Sequence, residues 1–229
     1  PARPARDDPP TPAGPVEFGV TGAAFLRSAY LGVNDFEADP EGPRRHLRVV
    51  ANIQAPAYYI VAVKAGLGIN DLSDIARRRI PVSMMASPVG QRQFTPAVLE
   101  YYGLGKEVVL SLGGIYADHY SRNVDFDVLL GFGSLVNAPE FNHWYHATQK
   151  YDLKFLELAP ALRERLQQRF QVEPRTLPAG YFRGVVEPVP TLAENGIVIY
   201  GRADMPDDFA YTLAKALDER QDLLAWTHM

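Results

Sequence analysis

The chain has no cysteine, which excludes thiol nucleophiles, thiolate metal sites and disulfides and permits an oxidising compartment. It also lacks any run of the roughly 18 to 20 apolar residues needed to span a bilayer, and no hydrophobic signal core opens it. A cationic excess is missing as well: 23 Lys and Arg stand against 27 Asp and Glu, a formal net charge of -4. Without a basic field, nucleic acid and anionic membranes are poor main partners, which leaves small molecules and proteins.

Catalytic signatures are scarce. In Gly131-Phe132-Gly133-Ser134 the serine follows the second glycine, so the run is not a nucleophile elbow, and no Walker lysine follows a glycine cluster. Gly66-Leu67-Gly68 lacks the third glycine and the strand-to-helix setting of a dinucleotide fingerprint and reads as a turn. His143 and His146 lie three apart on an expected helix, yet sequence places neither Glu140 nor His119 as a third metal ligand, so they read as surface or interface histidines. Asp125 and Asp127 flank Phe126 on one face of a strand start, and a solvated loop end accounts for them.

What the chain does have is 47% hydrophobic residues over 229 positions, enough for one large domain or two lobes of about 100 residues each. Residues 1–15 hold six prolines, two arginines and two aspartates and read as a flexible leader. Strands are expected at 16–20, 47–53, 58–64, 108–112, 126–130, 153–156 and 197–200. Helices are expected at 22–30, after Asp71, at 116–122, 139–149, 160–170 and 206–220. Asp71 reads as an N-cap with Asp74 three residues on, and Arg77, Arg78 and Arg79 sit at the negative end of that helix. Such alternation points to an α/β fold with parallel-rich sheets.

The stretch 80–104 is the most informative: an apolar strand, a polar turn, then a helix closed by Gly103. A turn of this kind leaves backbone N–H groups at the positive end of a helix, where an anion can dock. Gly90 would let the backbone approach a ligand, Gln91 would hydrogen-bond to it, and Arg92 would pair bidentately with a carboxylate. The plain alternative is a chain reversal by Pro88 and Gly90 with a solvated Arg92. Pro96 fits best if the helix is capped by Thr95, which places the proline at the first position.

Several segments then resemble one family in order. They are Leu47-Arg48-Val49-Val50-Ala51, then Val61-Ala62-Val63-Lys64-Ala65 followed by Gly68-Ile69-x-Asp71-Leu72. Next come the 87–93 turn leading to Ala97-Val98-Leu99-x-x-x-Gly103-Leu104, and Val124-Asp125-x-Asp127. Leu177-Pro178-Ala179-Gly180-Tyr181 and Ala203-Asp204-Met205-Pro206-Asp207-Asp208-x-x-Tyr211 close the series. Together they resemble the TAXI-type solute-binding proteins of TRAP transporters. Where relatives carry Gly-Ser-Gly-Thr or close to it, this chain has Val89-Gly90-Gln91, and the strand, glycine-rich loop and helix with which relatives begin have no counterpart.

The resemblance implies a periplasmic-binding-protein fold of two α/β lobes with the first lobe incomplete: residues 16–57 plus 188–229 in lobe one, 58–187 in lobe two. It implies an extracytoplasmic, non-enzymatic protein without cofactor or metal that captures a small carboxylate (an acidic amino acid, keto acid or dicarboxylate) and delivers it to membrane permease subunits. Residue by residue it assigns Thr21 and Gln54 to the cleft from lobe one, and Gly90, Gln91, Arg92, Phe132 and Tyr181 from lobe two. A sensor or adaptor on the same fold, or an enzyme of the thiamine-precursor type with His119 or His143 in the cleft, are the alternatives.

Overall fold

The computed structural model describes residues 18–53, 55–87, 92–121, 123–134 and 143–223. In chain order the elements are β1 (Phe18–Gly22), α1 (Ala23–Leu31), a 3-10 turn (Asn34–Phe36), β2 (Leu47–Asn52), β3 (Ala57–Lys64), a second 3-10 turn (Ala65–Leu67), α2 (Ser73–Arg77), β4 (Ser83–Ala86), α3 (Phe94–Tyr101) and α4 (Lys106–Ser111). There follow β5 (Ile115–Ala117), β6 (Val128–Ser134), α5 (His143–Lys150), β7 (Leu153–Phe155), α6 (Pro160–Phe170), β8 (Glu173–Leu177), β9 (Val189–Glu194), β10 (Ile197–Arg202) and α7 (Asp207–Glu219).

Two sheets result. The small one has the order β1-β10-β2, and the large one runs β5-β4-β6-β3-β9-β8 with β7 also on β3. The chain passes between them twice, once from β2 to β3 and once from β9 to β10 through Asn195 and Gly196. The fold is α/β, but its pairing is mixed: β4 runs parallel to β5 and β6, while every other described pair is antiparallel. Parallel neighbours need a long crossover, and several strands here follow one another by short turns or return from the other sheet.

Strand β3 organises the core. Tyr59, Val61 and Val63 enter one buried cluster while Ile60 and Ala62 enter the other, so both faces of the strand are covered and its sequence reads as an unbroken apolar run. Phe94 of α3 and Phe170 of α6 close the first face, their rings 5.1 Å apart, and Trp144 of α5 fills the second. Each such side chain contributes about 1.5–3 kcal/mol on burial. Helix α6 follows its sequence pattern closely: Pro160 occupies the first turn, Leu162, Leu166 and Phe170 are buried, and Gln171 ends it in the left-handed conformation at φ 55°.

Three expectations are corrected. Residues 108–112 form the end of α4 rather than a strand: of Val108, Val109 and Leu110 only Val109 is buried, one inward position per turn. Where a helix is expected at 116–122, residues 115–117 form edge strand β5 and 118–121 are neither helix nor strand; β5 is reached through Gly114, where a side chain would meet the carbonyl oxygen of Val82 at 2.4 Å. Helix α3 begins at Phe94 rather than after a Thr95 cap, so Pro96 is its third residue, still within the turn whose N–H groups lack helical partners. At α2 the Asp71 carboxylate accepts the Ser73 N–H at 2.8 Å, and buried Asp74 accepts those of Asn70 and Asp71 at 2.9 and 3.2 Å. These bonds hold the Asp74 carboxyl below its ordinary range.

Candidate functional site at the seam between the sheets

Register places several strand ends side by side. Ala57 at the start of β3 pairs with Ser134 at the end of β6 and with Glu194 at the end of β9, and Ala86 at the end of β4 pairs with Leu130 of β6. The carboxyl ends of β6 and β9 therefore share one rim of the large sheet, and β4 ends at the level of Leu130, four residues short of Ser134. In the small sheet Gly22 pairs with Ile197, Thr21 with Val198, and Asn52 with Val198, so its rim is where β1 and β2 end and β10 begins. The chain links the rims through Asn195 and Gly196, and hydrogen bonds fasten the joint: Gly196 N–H to the Glu194 carbonyl at 2.8 Å, Ala23 N–H to the Gly196 carbonyl at 2.9 Å, and Ile53 N–H to the Ile197 carbonyl at 2.8 Å. Carboxyl ends of strands at a point where the chain changes course are the usual ligand crevice of open α/β sheets.

The candidate residues distribute unequally around this seam. Thr21 stands half-buried on the small-sheet rim. Gln54, Gly90 and Gln91 lie outside the described residues. Arg92 lies two residues ahead of α3; its side chain is exposed, and its backbone N–H donates to the Asp35 carboxylate at 3.0 Å. A second bond reaches across in the same place, Asn34 Nδ2 donating to the Arg169 carbonyl at 3.3 Å, and within the large-sheet part Arg169 donates to Gln93 at 2.6 Å.

Phe132 lies two residues below the rim but is only 4% exposed, packed against Tyr59 and Phe94 at 5.1 and 4.9 Å. It forms core beneath the seam. Tyr181 follows β8, whose end pairs with Val189; that is the far end of β9, roughly 17 Å along the strand from Glu194. There Tyr181 packs edge-on to Phe182, away from the other candidates.

The rim is rooted from below. Buried Tyr59 donates its hydroxyl to Thr95 Oγ1 at 3.2 Å, and Thr95 donates to the Ser87 carbonyl at 2.9 Å, which pins the end of β4 to α3; burial drives the tyrosine hydroxyl pKa upward. Asp125 and Asp127 pair with Lys64 at 3.0 and 3.3 Å, and Asp127 also accepts the Ser83 N–H, so they are structural anions. His119 is exposed beside Asp118. His143 packs against Tyr120 and Trp144, and burial lowers its pKa to about 4. Among the described residues no three metal-binding side chains gather, and no helix is long and apolar enough to cross a membrane.

Glu194 is the seam residue that motif reading passes over. It is 6% exposed, Oε2 is buried without a hydrogen-bond partner, and burial alone raises its pKa to about 7. A carboxylate closing the apolar run Val-Pro-Thr-Leu-Ala, followed by an Asn-Gly turn, is the signal that could have found it. A separate apolar groove of about 340 Å³ lies between α1 and the β2 edge, lined by Leu26, Tyr30 and Val49 among others.

The profile of the NMT1-like family matches residues 11–229, and the chain belongs to that family. None of the curated proteins matches it. Among solved structures it is similar to a periplasmic transporter (12% identity over 90% of this chain and 63% of the other, TM-score 0.40). It is also similar to an ABC-transporter choline-binding protein in complex with choline (17%, 81% and 54%, TM-score 0.36). A glycine betaine/L-proline-binding protein from Borrelia burgdorferi gives 14%, 90% and 77%, with a TM-score of 0.37. The chain thus spans less than two thirds of the first two structures.

Proposed function

We infer that this chain belongs to an extracytoplasmic solute-binding protein that closes two lobes on a small carboxylate at the seam and passes it to a TRAP-type membrane permease without altering it. The observation that carries the reading is the seam itself: two sheets joined by two strand passages, with the ends of β6 and β9 on one rim and Thr21 on the other. Such a joint permits hinge closure around a ligand, and binding energy then has only to favour the closed state. The Arg92 guanidinium is exposed and forms no ion pair among the described residues, so it is available to an incoming carboxylate.

Calorimetric titration with glutamate, 2-oxoglutarate and succinate tests this. The wild type binds at least one of them, and Arg92→Ala weakens that binding by about tenfold or more, the scale of a charge-assisted hydrogen bond. Equal binding by both proteins removes Arg92 from the site, and no binding of any carboxylate removes the ligand class.

A further inference from the structure

Strand β2 closes one end of the small sheet. From Leu47 to Ala51 it pairs with β10 on one side and with no described strand on the other, which leaves roughly 16 Å of open edge. A groove flanks this edge on each face of the sheet. The apolar groove of about 340 Å³ runs between β2 and α1, and a second of about 280 Å³ runs between β2 and α7, lined by Val50, Gly201 and Ala210 among others. Register sets them on opposite faces: Val49, in the α1 groove, pairs with Tyr200, and Gly201, the next residue of β10, lines the α7 groove. Arg48 and Val49 reach both, and Val49 is 60% exposed. Successive side chains of an extended segment point to opposite faces, so a strand laid along β2 would send alternate residues into the two grooves.

Charge at this edge has one sign. Exposed Arg27 of α1 lines the apolar groove, Arg45 stands over the ring of Tyr30 with Cζ 4.7 Å from its centre, and Arg48 donates to the carbonyls of Arg45 and Leu47 at 2.7 and 2.8 Å. None of these three arginines forms an ion pair among the described residues, and no described acidic side chain lines the groove, although the chain carries a net charge of -4. The nearby Asp39 and Glu41 are taken by Arg44 at 2.8 and 2.9 Å.

We propose that the β2 edge is a docking site for an extended segment of a partner protein, added as a further strand, whose residues facing α1 are acidic and apolar and whose intervening residues are small. The main chain bonds to the open edge, an apolar side chain enters the groove over Leu26 and Tyr30, and the flanking carboxylates meet the arginines. A second copy of this chain is a poor occupant, because edge-to-edge pairing would set three more arginines against these three. This surface is separate from the seam, and the proposal stands whether or not the seam binds a solute.

Fluorescence anisotropy tests it with the labelled peptide Glu-Thr-Leu-Thr-Glu, its counterpart with lysine in place of glutamate, and two versions of the first that are N-methylated on alternate residues in the two possible registers. The wild type should bind the glutamate peptide at least about tenfold more tightly than the lysine peptide. Arg27→Glu, at an exposed position, should narrow or reverse that preference, and Val49→Lys should weaken both peptides, with circular dichroism unchanged for either variant. One N-methylated peptide should lose binding and the other keep it, since alternate N–H groups of an added strand face its neighbour. Equal binding of the two charge types, equal binding of both N-methylated peptides, or no binding of any peptide overturns the proposal; the last leaves the arginines as guards of an open edge. A dimer in sedimentation velocity that Val49→Lys dissolves assigns the edge to a second copy and overturns it as well.

Discussion

Replacing Glu194 by glutamine keeps the shape of the side chain and removes its charge, and the consequence for stability is set by pH. In the folded chain burial lifts the carboxyl pKa from 4.5 to about 7. A group whose folded pKa is raised binds protons more tightly when native, so folding is opposed once the unfolded carboxyl ionises and the native one must follow. The penalty is absent below about pH 4, grows through the interval between the two values and is complete above about pH 8. From about pH 5 to about pH 8.5 it increases by roughly 2 to 3 kcal/mol for a shift of this size. Relative to wild type, Glu194→Gln therefore gains about that much stability over the same range, whatever constant cost the buried amide adds. Urea unfolding at the two pH values reads the difference, since an m-value near 2 kcal/mol/M converts it to about 1 M in midpoint. Midpoints that move in parallel for the two proteins would refute the argument, because they would show the carboxyl titrating normally and hence solvated.

His143 supplies the opposite slope. Its pKa is lowered to about 4 by burial, so the native chain binds fewer protons than the unfolded one between about pH 4 and 6.5, and stability falls as pH drops through that window. His143→Phe should abolish that loss and leave stability decreasing with pH, while Glu194→Gln should leave it increasing; a flat profile for either variant in urea melts counts against the assignment. At Gly133 a Cβ would stand 2.3 Å from Trp144 Cδ1, and Trp144 is fully buried. Gly133→Ala should therefore cost about 1–3 kcal/mol of overpacking, visible as a lowered Tm.

How much of this could be read beforehand depends on the residue. Tyr58 to Lys64 announces a strand because both faces are buried, and α6 and α7 are legible from a proline at or just ahead of the first turn. Strand β8 contains Pro174, Arg175 and Thr176, all exposed, and β9 contains Pro190; neither alternates cleanly, so both escape a reading by pattern. Strand β9 is also the one that carries the chain to the seam. For the site, Thr21 reaches the small-sheet rim because it is the penultimate residue of β1, whereas Phe132 and Tyr181 carry the same aromatic character whether they line a cleft or fill a core. Only register separates those cases, and register is a property of paired strands. Glu194 needed burial to become visible, since a glutamate before Asn-Gly reads as an ordinary turn.

The most direct measurement is a crystal structure of the chain with a saturating bound carboxylate. The account predicts electron density at the seam, with the carboxylate paired to the Arg92 guanidinium and Thr21 on the opposite rim. Density elsewhere, in the groove between α1 and β2 for instance, would contradict it.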